Sequence, residues 1–128
     1  MTAAPSVLLT PSTEPMTDLA PMICRQRLVV EGTCPRPITA DDITDYLAKL
    51  SVVTDMTTLL EPVTHRSPLY GWAGWIHWET SGAHFYAWEQ PLLFFSVDIY
   101  TCKPFDAAEV VEFTAEYFHT DQLVAKEF

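Results

Sequence analysis

Positive charge is scarce in this chain: seven Lys and Arg stand against seventeen Asp and Glu, a formal charge of −10 over 128 residues. Such a field repels phosphate backbones and anionic headgroups, so neither a nucleic-acid partner nor a membrane partner is expected. No apolar run is long enough to cross a bilayer. The opening MTAAPSVLLTPSTEPMTDLAPM has no basic residue and only a short apolar stretch, so it does not read as a secretory signal, and a cytoplasmic location is expected. Cysteine is sparse and odd in number. Cys24, Cys34 and Cys102 lie far apart, in neither metal-binding nor redox spacing, and are read as free thiols with no metal. Internal repeats and a second block of composition are also missing, and at this length a single core is the usual solution.

What is present has a clear order. Residues 1–22, rich in Pro, Thr, Ser and Ala without apolar periodicity, are expected to form a flexible tail, with the folded domain over 23–128. RQRLVVEGT (25–33) is a β-branched run ended by Gly32 and the prolines at 35 and 37, which predicts a strand. ITADDITDYLAKL then offers Thr39 as an N-cap with Asp42 three residues on, and Ile43, Tyr46, Leu47 and Leu50 on one helical stripe. TTLLEPVTH predicts a second strand, with Pro62 pushing it to an edge or a bulge. From Gly71 to Cys102 three consecutive strands are expected, broken at Ser81-Gly82 and at residues 89–91. KPFDAAEVVEFTAEYFHTD predicts a helix capped at Asp106, its Glu109, Glu112 and Glu116 forming a solvated face, and QLVAKEF a short last strand. The order predicts an α+β fold, a two-layer sandwich of a mainly antiparallel sheet with two helices on one face.

Alternation along the strands sorts their side chains by face. Ala73, Trp75, His77, Glu79 and Ser81 share one face of the first meander strand; His84, Tyr86 and Trp88 lie opposite Ala83, Phe85 and Ala87; and Phe94, Ser96, Asp98, Tyr100 and Cys102 lie opposite a run of apolar residues ending at Thr101. One side is core. The other, polar and aromatic together, is either a solvated sheet face or a site, and its aromatics suit a pocket or a subunit interface better than water.

These residues resemble those of the small prokaryotic S-adenosylmethionine decarboxylases, whose pattern runs Gly-x-x-Gly, a Glu-Ser-His cleavage site, His-Thr-Trp-Pro-Glu, and a strand ending Asp-x-Phe-Thr-Cys. Here Gly71 and Gly74 precede Thr80-Ser81-Gly82, then Tyr86-Ala87-Trp88-Glu89-Gln90, then VDIYTC ending at Cys102 after a one-residue insertion. RLVVEGTC and HRSPLYG also resemble the family's opening strand and the turn before its glycines, so the likeness covers about residues 25–128. It implies that Ser81 attacks the preceding carbonyl, that the chain cleaves, and that Ser81 becomes a pyruvoyl group acting as the electron sink for decarboxylation. It further implies Cys102 as proton donor to the decarboxylated carbon and as a helper in processing, Glu31 as a substrate-site acid, S-adenosylmethionine or another amino acid as substrate, and a homodimer with sites at its interface.

The departures are specific. Thr80 replaces the family's glutamate, with Glu79 one place away; Ala73 replaces a serine; Tyr86 replaces the histidine of self-cleavage; and Gln90 replaces the ribose-binding glutamate, with Glu89 adjacent. His77 and His84 can supply the missing proton transfer, although a lone strand histidine is more often a hydrogen-bonded structural one. Tyr86 can donate a hydroxyl or simply cap a pocket, Glu31 can be an edge carboxylate, and Trp75 or Trp88 can lie against a sulfonium or adenine. Beside the decarboxylase stand two other readings: an unprocessed relative that binds a nucleoside, an amino acid or a partner, and an enzyme of other chemistry with His77, Glu79 and His84 as acid and base.

Overall fold

The computed structural model describes residue 7 and residues 9–128. Its elements run β1 (Gln26–Thr33), α1 (Ala40–Val53), β2 (Thr58–Ser67), β3 (Gly71–Trp78), β4 (Ser81–Trp88), β5 (Phe94–Thr101), α2 (Ala107–Phe118) and β6 (Gln122–Glu127). The strands form one sheet in the order β2-β3-β4-β5-β1-β6, every pair antiparallel, so the expected α+β two-layer sandwich is present. Among the described residues no helix is long and apolar enough to cross a membrane.

Alternation decides which sheet face the helices cover. Leu28 and Val30 of β1, Ile76 and Trp78 of β3, Ala83, Phe85 and Ala87 of β4, and Phe95, Val97 and Ile99 of β5 are buried against Ile43, Tyr46, Leu47 and Leu50 of α1 and Val110 and Phe118 of α2. Thr39 and Asp42 close the expected capping box on α1, the Thr39 side chain accepting from the Asp42 N–H and the Asp42 carboxylate from the Thr39 N–H. The Arg36 guanidinium on Asp42 holds that carboxyl below its ordinary range, ahead of the opposing effect of burial. Polar groups inside the core are paired: the Tyr46 and Thr114 hydroxyls lie 2.7 Å apart, and Trp78 Nε1 donates to Ser51 Oγ at 2.7 Å.

The two glycines of the motif have physical reasons. Gly71 has φ +146°, a backbone region L side chains avoid, and Gly74 lies under α1, where an added Cβ would meet Ile43 Cγ2 at 2.6 Å.

Four local expectations are corrected. The second strand runs on through Arg66 and Ser67, leaving the turn to residues 68–70; Pro62 is met by register shifts along this edge strand. The first meander break falls at Glu79-Thr80, because Ser81 and Gly82 already pair as the start of β4. Ser81 therefore changes face: it stands opposite Trp78 and Thr101, on the parity of the core, rather than beside His77. The helix near the end is shorter than its sequence run, from Ala107 to Phe118, and His119 ends it in the left-handed conformation.

Candidate active site

The sheet face away from the helices carries the expected mixture of polar and aromatic side chains. Pairing sets them in rows: His77, Gly82, Tyr100 and Arg27; then Trp75, His84, Asp98 and Val29; then Ala73, Tyr86, Ser96 and Glu31. The rings of Trp75, His84, Tyr86, Trp88 and Phe94 follow one another across this face, with centroids 6.5, 6.3, 6.3 and 5.3 Å apart. Tyr86 and Tyr100 are 43% and 48% exposed, so the face is a broad aromatic surface open to solvent in the single protomer.

At one end of that face lies an open depression of about 1010 Å³, where Ser81, Thr80, Glu79, His77, His84 and Cys102 all line the wall. Five of the six residues expected to do chemistry are thereby brought together. The sixth, Tyr86, lies on the open face beyond His84, its ring stacked on the imidazole. Arg27, Trp75, Ile76, Gly82, Asp98 and Tyr100 complete the lining, and of these only Trp75 carries a functional expectation from sequence. Asp98 and Tyr100 belong to the VDIYTC run and share a strand face with Cys102; Arg27 becomes visible only once β1 is known to pair with β5. Arg27 grips Asp98 with two hydrogen bonds, Nε to Oδ1 at 3.0 Å and Nη2 to Oδ2 at 2.8 Å, and that carboxylate raises the affinity of the guanidinium for its proton. Asp98 is the direct cross-strand neighbour of His84.

The Thr80-Ser81 peptide is the centre of the depression's geometry. The hairpin turn places it beside the end of β5, where the Cys102 N–H donates both to the Thr80 carbonyl oxygen at 3.1 Å and to Ser81 Oγ at 3.3 Å. Ser81 Oγ in turn donates to Thr80 Oγ1 at 2.9 Å, and Thr80 Oγ1 to the Met56 sulfur at 3.7 Å. A nucleophile, the carbonyl it would attack and a donor aimed at that carbonyl's oxygen thus stand within two adjacent residues and one cross-strand neighbour. A donor so placed stabilises charge as it develops on the oxygen.

The residues expected to bind substrate lie elsewhere. Trp88, Glu89 and Gln90 are at the other end of β4, a strand of eight residues and therefore about 23 Å long at the usual rise. Glu89 is turned to β2, its carboxylate on Arg66 at 3.2 and 3.3 Å and its N–H on the Tyr70 carbonyl, while Gln90 is exposed. Glu31 is half-buried in the row of Tyr86 and Ser96, on a strand flanked on both sides rather than at an edge. Among the described residues no three His, Cys, Asp or Glu side chains converge as metal ligands would.

Comparison with known proteins gives one fold and one family. The chain is similar to the crystal structure of the adenosylmethionine decarboxylase from Aquifex aeolicus VF5, with a TM-score of 0.69 at 13% identity over 83% of this chain and 89% of that one. No curated protein matches it. The model of the S-adenosylmethionine decarboxylase family matches residues 33–128, three quarters of the sequence, and takes in the Thr80-Ser81 turn, the aromatic strand and Cys102. This chain belongs to the S-adenosylmethionine decarboxylase family.

Proposed function

We propose that the chain cuts itself between Thr80 and Ser81 and that the matured protein is a pyruvoyl-dependent decarboxylase of S-adenosylmethionine or another amino acid. The observation that supports this most is the Cys102 N–H lying on the Thr80 carbonyl oxygen and on Ser81 Oγ at once. In the first step a bond forms from Ser81 Oγ to the Thr80 carbonyl carbon, the Thr80–Ser81 C–N bond breaks, and the hydroxyl proton ends on the Ser81 nitrogen, giving an ester. A base then takes the Ser81 α-proton, the bond from Cβ to the ester oxygen breaks, and Thr80 leaves as a carboxylate. Water replaces the nitrogen, which departs as ammonia, and residue 81 becomes the pyruvoyl group. His77 and His84 are the exposed imidazoles of the depression and the groups suited to that proton.

The residues present fit such a group: Ser81 opens a strand at the wall of the depression, and exposed Cys102 follows the neighbouring strand. When formed, the pyruvoyl carbonyl supplies an electron sink for loss of carbon dioxide. The chain's own parts bind and protonate: the Cys102 thiol holds a proton beside the group, and the Trp75 ring offers a face to a substrate cation, an interaction of about 0.5–2 kcal/mol.

The working form in this reading is a homodimer. The Ser81 end and the Trp88–Gln90 end of one sheet are too far apart to hold one small substrate together. Two open faces packed about a two-fold axis would set one protomer's Trp88–Gln90 end against its partner's Ser81 end and cover the row of rings. Because Glu89 is tied to Arg66 and Gln90 is uncharged, adenosyl binding rests on a neutral hydrogen bond, weaker than a charge-assisted one. Denaturing mass spectrometry tests the maturation step. Two fragments parted between Thr80 and Ser81 are expected, the second starting with a pyruvoyl group, and a single intact chain in fresh and aged samples would overturn the reading.

A further inference from the structure

We infer that Thr80 is a brake on self-cleavage: its hydroxyl holds Ser81 Oγ in a hydrogen-bond chain that ends on a thioether and so delays attack on the Thr80 carbonyl. The inference rests on the maturation reading above and concerns its rate.

The proton of a serine nucleophile must go somewhere as the new bond forms, and the usual recipient is a base within hydrogen-bond reach. Here Ser81 Oγ gives its hydrogen bond to Thr80 Oγ1 at 2.9 Å, and the Thr80 hydroxyl points on to Met56 Sδ at 3.7 Å. A neutral hydroxyl does not accept a proton near neutral pH, and a thioether is only a weak acceptor that cannot relay one. The chain is a dead end for the proton. The other side of Ser81 Oγ is also engaged, since one of its lone pairs accepts from the Cys102 N–H at 3.3 Å. The hydroxyl is therefore directed toward the Thr80 side chain, while the candidate bases His77, His84 and Glu79 line the same depression without a hydrogen bond to it. Met56 is buried in the core at the end of the α1-to-β2 connection, so the anchor of the chain is fixed by packing.

Freeing Ser81 requires loss of one neutral hydrogen bond between hydroxyls. At the usual net worth of such a bond the brake slows the reaction about three- to tenfold. Covalent bookkeeping is unchanged by the brake: the Oγ to carbonyl-carbon bond still forms, the C–N bond still breaks, and only access of the hydroxyl proton to a base differs.

Replacing Thr80 by Val keeps the branched shape and deletes the hydroxyl, and Thr80→Ser keeps the hydroxyl and deletes a methyl group. Full-length wild type, T80V, T80S and M56L are followed by intact mass from the moment of purification, with thermal melts to show that each is folded. The expected result is fragment formation about three- to tenfold faster in T80V, a wild-type rate in T80S, and a smaller acceleration in M56L, which also reads the brake should T80V fail to fold. Fragments in T80V from a wild type that stays intact would support the brake while overturning the matured decarboxylase as the form the wild-type chain takes. Wild type that cleaves with T80V no faster, or T80S as fast as T80V, would overturn the brake and leave self-cleavage standing. Absence of a cut at residue 81 in every folded variant would overturn self-cleavage and the brake with it.

Discussion

Cys102 meets the Thr80-Ser81 peptide through two different atoms, and they answer to different substitutions. Its N–H is what reaches the Thr80 carbonyl oxygen, so Cys102→Ala leaves that donor in place. Its thiol is the proposed proton donor in turnover. C102A should therefore form fragments within about tenfold of the wild-type rate, since no backbone donor is lost, yet fail to sustain carbon dioxide release over repeated turnovers, because carbon dioxide leaves before the carbon it vacates is protonated. Cleaved fraction by mass and carbon dioxide release, measured on one preparation, separate the two roles; loss of both together would make the thiol part of self-cleavage. Ser81→Ala removes the nucleophile and should give an intact, folded chain. Ser81 and Cys102 could be singled out from sequence because the turn at Thr80-Ser81 and the strand end at Cys102 follow a recognisable motif, the latter after a one-residue insertion. Arg27 was not readable, since only the β1–β5 register brings it to Asp98.

At the scale of elements, α1 is held by its cap and by the absence of a side chain beneath it. Gly74→Val would drive Cβ to within 2.6 Å of the present Ile43 Cγ2, beyond what a small shift absorbs, and should destabilise the protein by about 1–3 kcal/mol as overpacked cores do. Thr39→Ala removes the cap and should cost about 1 kcal/mol. Both are read by urea unfolding. The capping partner adds a pH dependence: Arg36 lowers the pKa of Asp42 in the folded chain, so its share of stability is complete above the unfolded carboxylate range near pH ~3.9 and is lost as pH falls below it. D42N should accordingly be less stable than wild type at pH 7, with the gap closing on acidification; a gap that stays constant to pH 2 would contradict the assignment. Helix stripes and caps were legible in advance because their period and end signals are local. The break before β4 was misplaced, since Ser81-Gly82 has the composition of a turn and only pairing with β3 and β5 makes it strand.

For the whole molecule, the uncovered aromatic sheet face is the feature that calls for a partner. Alternation exposed that face in the sequence, while the separation of the Ser81 end from the Trp88–Gln90 end needed the strands in place. If two copies pair through it, light scattering at micromolar concentration should give twice the protomer mass, and Tyr86→Glu should shift the protein toward monomer, because the ring lies mid-face and a carboxylate there would be buried without a partner. A wild-type monomer would contradict the dimer. The central claim, that residue 81 becomes a reactive carbonyl, has a more direct test. Aged wild-type protein is treated with a hydrazide reagent and its chains are weighed under denaturing conditions, with S81A alongside. The account predicts one label on the fragment that begins at residue 81 and none on S81A; an intact wild-type chain that takes up no label would contradict it.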